Sequence, residues 1–391
     1  MARIPSSFAE PHRLRRSGLP ATSDGTPPEA VAVTPAPDLL WPFGLTVEQG
    51  PLMLNCELDD PVYEAIELQW FDDAEHGTGM LVFLQRREDR RVDYYHQQGL
   101  TVDRGGYSLG GGTGQWVETT FARAWLEIGS EGVVAQACFT DVDGRSIEVA
   151  VDDRGAGTRR PGELLAPVGA GIDEPRALLL VYLYGFDLVR RGGLEPVVRI
   201  AGRVASPGRL PAAWLHRRHL IKAAGPLTVV RLCPVPSEDS DREEVVTSEA
   251  VHVDESGTRL TGASVERGAA SAQLMLEPGL PALAGIPEGS DASGEWQLSV
   301  DERRITGGRW RATRHGDEID LDLDVTRRWR PPPGLPPLMR VVTRVMPVFR
   351  RWPTTYRWRA TVTLGDPPTM SARWERIGRQ RDEAYRRVTS R

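Results

Sequence analysis

Between Glu318 and Thr326 the side chains change character at every step: Ile319, Leu321, Leu323 and Val325 alternate with Asp320, Asp322, Asp324 and Thr326. A period of two marks an extended chain with one dry and one wet face, because successive Cβ atoms of a strand point to opposite sides of a sheet. A helix would scatter the same residues around its circumference. The alternation returns in Tyr356 to Leu364, with Tyr356, Trp358, Ala360, Val362 and Leu364 on one side and Arg357, Arg359, Thr361 and Thr363 on the other. From Leu45 onward, short apolar runs are punctuated by Gly, Asp and Pro at strand-like intervals. The pattern predicts a mainly β protein of two β-rich units, barrels or sandwiches.

Two hairpins can be given a register. With Val142-Asp143-Gly144 as a three-residue loop, Asp141 opposes Arg145, Phe139 opposes Ile147, Ala137 opposes Val149 and Ala135 opposes Val151, with Gly144 in the left-handed position. Reading Ser130-Glu131-Gly132 as a second such loop places Trp125, Ala137 and Val149 in one row. Further on, a turn at His315-Gly316 sets Trp310 against Leu321, Ala312 against Ile319, Arg311 against Asp320 and Arg309 against Asp322. A row of three aspartates invites a calcium or glycosidase reading, but facing arginines supply the countercharge, so a solvated ladder is expected.

One amphipathic helix is expected, from Pro337 to about Met346, with Leu338, Val341, Val342 and Val345 on one arc and Arg340 and Arg344 opposite. Packing across a sheet or a barrel end would use that apolar arc. A weak membrane-surface contact through Trp329, Arg340, Arg344 and Trp352 is the other use of such a composition. Residues 1–37 read as a disordered or loosely attached arm, 38–235 as an N-terminal β-rich domain, 236–244 as an acidic linker, 245–375 as a C-terminal β-rich domain and 376–391 as a polar basic tail.

A net charge of -6 argues against general attraction to phosphate backbones, so no nucleic acid is expected as partner. Cys56, Cys138 and Cys233 are far apart and odd in number, which fits a reducing, cytoplasmic setting and no zinc site. No apolar stretch is long enough for a signal or a transmembrane segment. Gly110 to Gly114 is glycine-rich, but no Gly-Lys-Ser/Thr follows and the next residues read as a strand, so no phosphate loop and no cofactor are expected.

Candidate site residues remain few. Of 48 basic residues only Lys222 is lysine; if dried between Ile221 and Ala223, its amine could act as a nucleophile. His96 follows Asp93-Tyr94-Tyr95 and could pair with Asp93 as a base. Trp214, His216, Arg217, Arg218 and His219 form a local patch suited to an anionic headgroup, and His216 and His219 would share a face if the segment were helical, yet no third metal ligand is identifiable.

In general style the tandem short strands are similar to a pair of calycin-type, lipocalin-like barrels, a group that includes enzymes acting on isoprenoids. The resemblance implies a cavity for an apolar molecule, lipid-, isoprenoid- or polyketide-like, with the basic patch holding its polar end. The alternatives are a lyase or isomerase using Lys222 or His96, and a peripheral membrane or scaffold protein.

Overall fold

The computed structural model describes residues 39–377, apart from 103, 108–111, 209, 211–212 and 236–249. The arm at 1–37, the linker at 236–244 and the tail beyond 377 therefore lie outside the described residues. The N-terminal unit opens with β1 (Leu45–Gly50), β2 (Leu52–Asp59), β3 (Tyr63–Asp73), β4 (Gly77–Arg86), β5 (Val92–Gln97), β6 (Thr113–Thr119), β7 (Arg123–Ile128), β8 (Val133–Thr140) and β9 (Ser146–Asp152). It continues with β10 (Gly162–Ala166), the long β11 (Leu178–Arg190), β12 (Val197–Ile200), β13 (Arg203–Val204) and β14 (Ser206–Pro207). One helical turn, α1 (Ala213–His216), precedes β15 (Arg218–Ala224) and β16 (Leu227–Leu232). The C-terminal unit comprises β17 (Ala250–Val253), β18 (Arg259–Arg267), β19 (Ala270–Pro281), β20 (Asp291–Val300), β21 (Arg303–His315) and β22 (Glu318–Arg327), then α2 (Pro337–Val345), α3 (Pro347–Arg351), β23 (Tyr356–Thr363) and β24 (Thr369–Arg376).

The large N-terminal sheet runs β1-β16-β11-β15-β2-β3-β4-β5-β6. Leu45 opposite Leu232 and Cys56 opposite Ile221 share one register, so β1 and β2 run as a single interrupted strand beside β16 and β15. The latter run in turn beside β11, where Leu178 opposes Leu232 and Asp187 opposes Ala223. All three are interrupted at one level: at Pro51, at Gly225-Pro226 and at Gly185, whose φ of 57° is left-handed. Gly225 is needed there because a Cβ would sit 2.4 Å from Leu52 Cδ2 and 3.0 Å from Leu52 Cα.

On either side of this level the sheet serves a different core. One half packs on the five-stranded sheet β13-β12-β9-β8-β7 through Leu54, Ile66, Leu68, Val82, Ala135, Val149 and Ile221. The other half contributes Leu45, Val47, Leu180 and Val230 to a core shared with Leu274, Leu298, Trp310, Leu323 and Trp358 of the C-terminal sheet. Each such fully buried aliphatic side chain stabilises the fold by roughly 1.5–3 kcal/mol.

The C-terminal strands form one antiparallel meander, β17 to β24 in chain order. Its apolar face is spent on the N-terminal unit: Trp374 Nε1 donates to the Leu232 and Cys233 carbonyls at 3.2 and 3.1 Å, and Tyr356 OH to those of Gly169 and Ile172 at 2.9 and 2.7 Å. Asp301, at the β20–β21 turn, accepts from Tyr184, Thr228 and Ser271 and so ties the two sheets together.

The Val142–Gly144 loop has the expected register, and Gly144 has a φ of 76°. Two other registers are corrected. The β7–β8 loop holds four residues, with Ile128 opposite Val133, which moves Ala124 into the row of Ala137 and sets Trp125 against Gln136. A one-residue slip exchanges faces, and with Arg123 and Glu127 on its parity Trp125 is 47% exposed while Leu126 is 1% exposed. At β21–β22 the turn is Gly316-Asp317, so Trp310 opposes Leu323 and Arg311 opposes Asp322. That slip is by two residues and leaves the faces unchanged. The aspartates form an ionic ladder chiefly with β23: Asp324 with Arg357, and Asp322 with Arg359 at 3.3 Å.

Helix α2 forms where expected but is rotated. Met339 and Thr343 are its buried residues, preceded by the buried Leu335; of the expected arc Leu338 and Val342 are half-buried against the core, whereas Val341 and Val345 are 59% and 67% exposed. Trp329 and Trp352, expected at a membrane surface, are instead core residues at 5% and 3% exposure. No helix among the described residues is long and apolar enough to cross a membrane.

Candidate functional site

A row of half-buried polar side chains, with the buried Gln69 and His96 beside it, lies on the face of the large sheet turned away from the five-stranded sheet. Strand register sets them in a row: Leu188, Lys222, Asn55, Glu67, Phe83, Tyr94 and Trp116, one from each strand β11, β15, β2, β3, β4, β5 and β6. The neighbouring row is Ala224, Met53, Gln69, Leu81, His96 and Glu118. Alternation explains the arrangement, since Leu54, Cys56, Ile66 and Leu68 occupy the opposite parity and fill the sandwich core.

Glu67 is the centre of this face. Its carboxyl accepts from Gln69 Nε2 at 2.8 Å and from Asn55 Nδ2 at 3.1 Å, while Asn55 Oδ1 accepts from Lys222 Nζ at 3.2 Å. Burial pushes the Glu67 carboxyl above the usual carboxylate range, against the two amide donors and the Lys222 charge, which pull it down. Tyr107, on the 3-10 turn Arg104–Tyr107, adds an OH 3.4 Å from Gln69 Oε1. Beside the polar row stands an aromatic group: Phe83 lies 4.9 Å from Tyr94 and 5.5 Å from Tyr107, Tyr94 lies 4.6 Å from Trp116, and the Arg104 guanidinium lies 5.4 Å from the Trp116 ring. Phe83 and Tyr94 are buried in a small core of their own with Phe71, Leu81, Val92 and Leu100, and the half-buried Tyr107 and Trp116 form its outer edge, so this face offers polar groups beside an aromatic edge.

Lys222 and His96 thus share a face, but four strand spacings separate them, roughly 19 Å. Ile221 and Ala223, both fully buried, point the other way, and Lys222 itself is half-buried with Glu57 Oε1 at 3.6 Å. His96 is 8% exposed, and its Nε2 has no hydrogen-bond partner among the described residues. Asp93 is not its partner: that carboxylate accepts from Arg86 Nε at 2.7 Å and from the Gln115 amide at 2.8 Å.

The expected basic patch does not converge. Trp214 is 83% exposed, and Arg217 is exposed with a φ of 51°. His216 Nδ1 accepts from the Arg218 amide at 3.1 Å, and Arg218 reaches Asp187 at 3.4 Å. His219 is buried in β15; burial holds its imidazole below the usual value, with Glu195 opposing and Arg191 reinforcing the shift. Because the helical turn stops at His216, the two histidines have no common helix face. No group of three metal-ligating side chains occurs among the described residues.

Sequence reasoning also passed over a charged network at the end of the sandwich. Tyr63 OH donates to Asp141 Oδ2 at 3.0 Å, and Arg145 binds Asp141 at 2.8 Å and Tyr63 OH at 2.9 Å. Of these groups Arg145 also lines a groove of about 180 Å³, together with Pro61, Val62, Arg86, Glu88, Asp89 and Asp143. The Asp141–Arg145 pairing was readable from the turn, whereas Tyr63 is 78 residues away from Asp141. An open hollow of about 470 Å³, lined by Glu118 to Thr120, Ala122, Cys138 to Thr140 and Ser146, contains none of the expected site residues. Comparison of this chain with family models, with curated proteins and with solved structures finds no match.

Proposed function

We propose that this protein binds an apolar small molecule of lipid-, isoprenoid- or polyketide-like kind, seated over the Glu67 row rather than inside a closed barrel. The observation that carries this reading is the sharing of one sheet face by the polar group Asn55, Glu67, Gln69 and Lys222 and the aromatic group Phe83, Tyr94, Tyr107 and Trp116. The ligand's oxygen-bearing end meets Lys222 and the Asn55 amide, and its apolar body lies toward the half-buried Tyr107 and Trp116 at the edge of the cluster that buries Phe83 and Tyr94. Within this reading Lys222 is a charge partner for the head.

Titration with dansyl-undecanoic acid, followed by dansyl fluorescence, tests the reading. Trp116→Ala should weaken binding of the chain. Lys222→Met should weaken the acid but not the corresponding alcohol, because only a carboxylate gains from the ammonium. Unchanged affinities in both variants would refute the assignment. Borohydride trapping of a carbonyl-bearing chain on Lys222 would instead favour an imine-forming enzyme.

A further inference from the structure

We propose that the surface built by α2 and its flanking segments docks this protein on an anionic lipid bilayer. From Val325 to Gly365 the chain contains nine arginines and no Asp or Glu. Three are neutralised in the sheet: Arg327 by Glu295, Arg357 by Asp324, and Arg359 by Asp322 and Glu375. Arg328, Arg330, Arg340, Arg344 and Arg350 are exposed and have no ion pair among the described residues. Among them lie Val341, Val345 and Met346, exposed by 59%, 67% and 46%.

This surface is carried on a firm excursion. β22 and β23 are paired neighbours, which a two-residue turn could join as Gly316-Asp317 joins β21 to β22, yet the chain runs from Arg328 to Thr355 between them. Leu335 and Met339 pin the excursion from beneath, and Trp329 and Trp352 pin its ends, where the Trp329 amide donates to the Trp352 carbonyl at 3.4 Å. Long structured insertions between paired strands are commonly kept for contacts rather than connectivity. With the inner line already buried, the aliphatic side chains left outside are available to a second apolar phase.

Charge selects the occupant. A second copy of this chain would bring the same arginines against themselves. A nucleic-acid backbone would match the charge but not the aliphatic centre, and the tryptophans that could stack on bases are buried. An anionic headgroup layer over acyl chains matches both, with guanidiniums among phosphates and Val341, Val345 and Met346 at the boundary. The chain's net charge of -6 orients rather than prevents the encounter, because repulsion from the far side is screened beyond about 10 Å at 0.1 M salt.

Co-sedimentation of the full chain with phosphatidylcholine vesicles, with and without phosphatidylglycerol, tests the proposal. Pelleting is expected only with phosphatidylglycerol at low salt, with release near 1 M salt, where the screening length is about 3 Å. Arg340→Gln/Arg344→Gln should lower partitioning roughly thirtyfold, five- to sixfold per arginine. Val341→Ser/Val345→Ser should lower it without changing the salt dependence, and Arg203→Gln/Arg304→Gln, which removes equal exposed charge elsewhere, should leave it unchanged. All six positions are exposed, and circular dichroism verifies that each variant is folded. The proposal is overturned by absence of pelleting, by equal losses in the control variant, by duplex DNA binding as strong as vesicle binding, or by a dimer that Val341→Ser/Val345→Ser dissolves.

Discussion

Replacing Arg190 by Met strands a carboxylate. The Arg190 amide and Nε donate to Asp153 Oδ2 at 2.9 and 3.0 Å, and Nη2 donates to Asp153 Oδ1 at 3.1 Å and to the Glu131 carbonyl at 3.0 Å. Both side chains are nearly sealed from water, at 3% and 2% exposure. Burial pushes the Asp153 carboxyl up, but the Arg190 hydrogen bonds, the Val133 amide and the Arg190 charge outweigh it and hold the carboxyl below the usual range. The variant keeps the Val133 and residue-190 amides as donors and loses the charge, so a loss of about 3–5 kcal/mol is expected at neutral pH. Urea unfolding measures it. The paired carboxylate contributes stability above the unfolded-state value of about 3.9 and loses it as pH falls through the lower folded-state value. In Arg190→Met only the two amides and the neighbouring Arg159 charge still oppose burial, so the carboxyl protonates at higher pH than in the parent, and the difference from the parent shrinks on acidification. Asp153→Asn/Arg190→Met should recover part of the loss, since a neutral amide leaves no buried charge. A loss under about 1 kcal/mol, or one that does not vary with pH, would refute the reasoning.

Two further outcomes follow from individual residues. Cys56 is buried at 1% exposure, and burial, partly offset by Lys222, pushes its thiol up to about 12; Cys233 is buried at 2% and Cys138 only partly. Ellman's reagent at pH 8 should therefore titrate Cys138 first, with Cys56 reacting only on unfolding; fast labelling of Cys56 in the native protein would contradict its placement. Glu67 holds its proton to higher pH folded than unfolded, so the parent loses stability as pH rises from the unfolded carboxylate value through the raised folded one. Glu67→Gln removes that slope and should gain on the parent with rising pH in thermal unfolding; parallel curves would contradict the buried setting.

Local alternation proved a reliable guide wherever a strand has one wet face. Glu318–Arg327 and Tyr356–Thr363 are strands with their apolar parity buried. Turn chemistry carried the register at Gly144, where a positive φ is needed. It missed by one at Gly129–Gly132 and by two at Gly316-Asp317, because the loop residues are compatible with several lengths and the choice lies with the packing of the strands they join. The parity of Arg123 and Glu127 agrees with the outward position of Trp125, which is 47% exposed.

Glu67 was legible only as one polar residue on the odd parity of β3, a pattern that any solvent-facing strand shows. Its setting depends on Asn55, Lys222, Phe83 and Tyr94, contributed by four other strands and as far as 155 residues away in the numbering, from 222 to 67. The chain's own order of residues determined that it would be β-structured, where its strands alternate and which surface segment lacks acids, since these rest on each residue and its near neighbours. Which strands lie side by side, that one interrupted sheet serves two cores, and that α2 turns Met339 rather than Val341 inward were decided only in three dimensions. Those outcomes depend on burying apolar area between segments far apart in the chain, and no local period records which distant surface will be the partner.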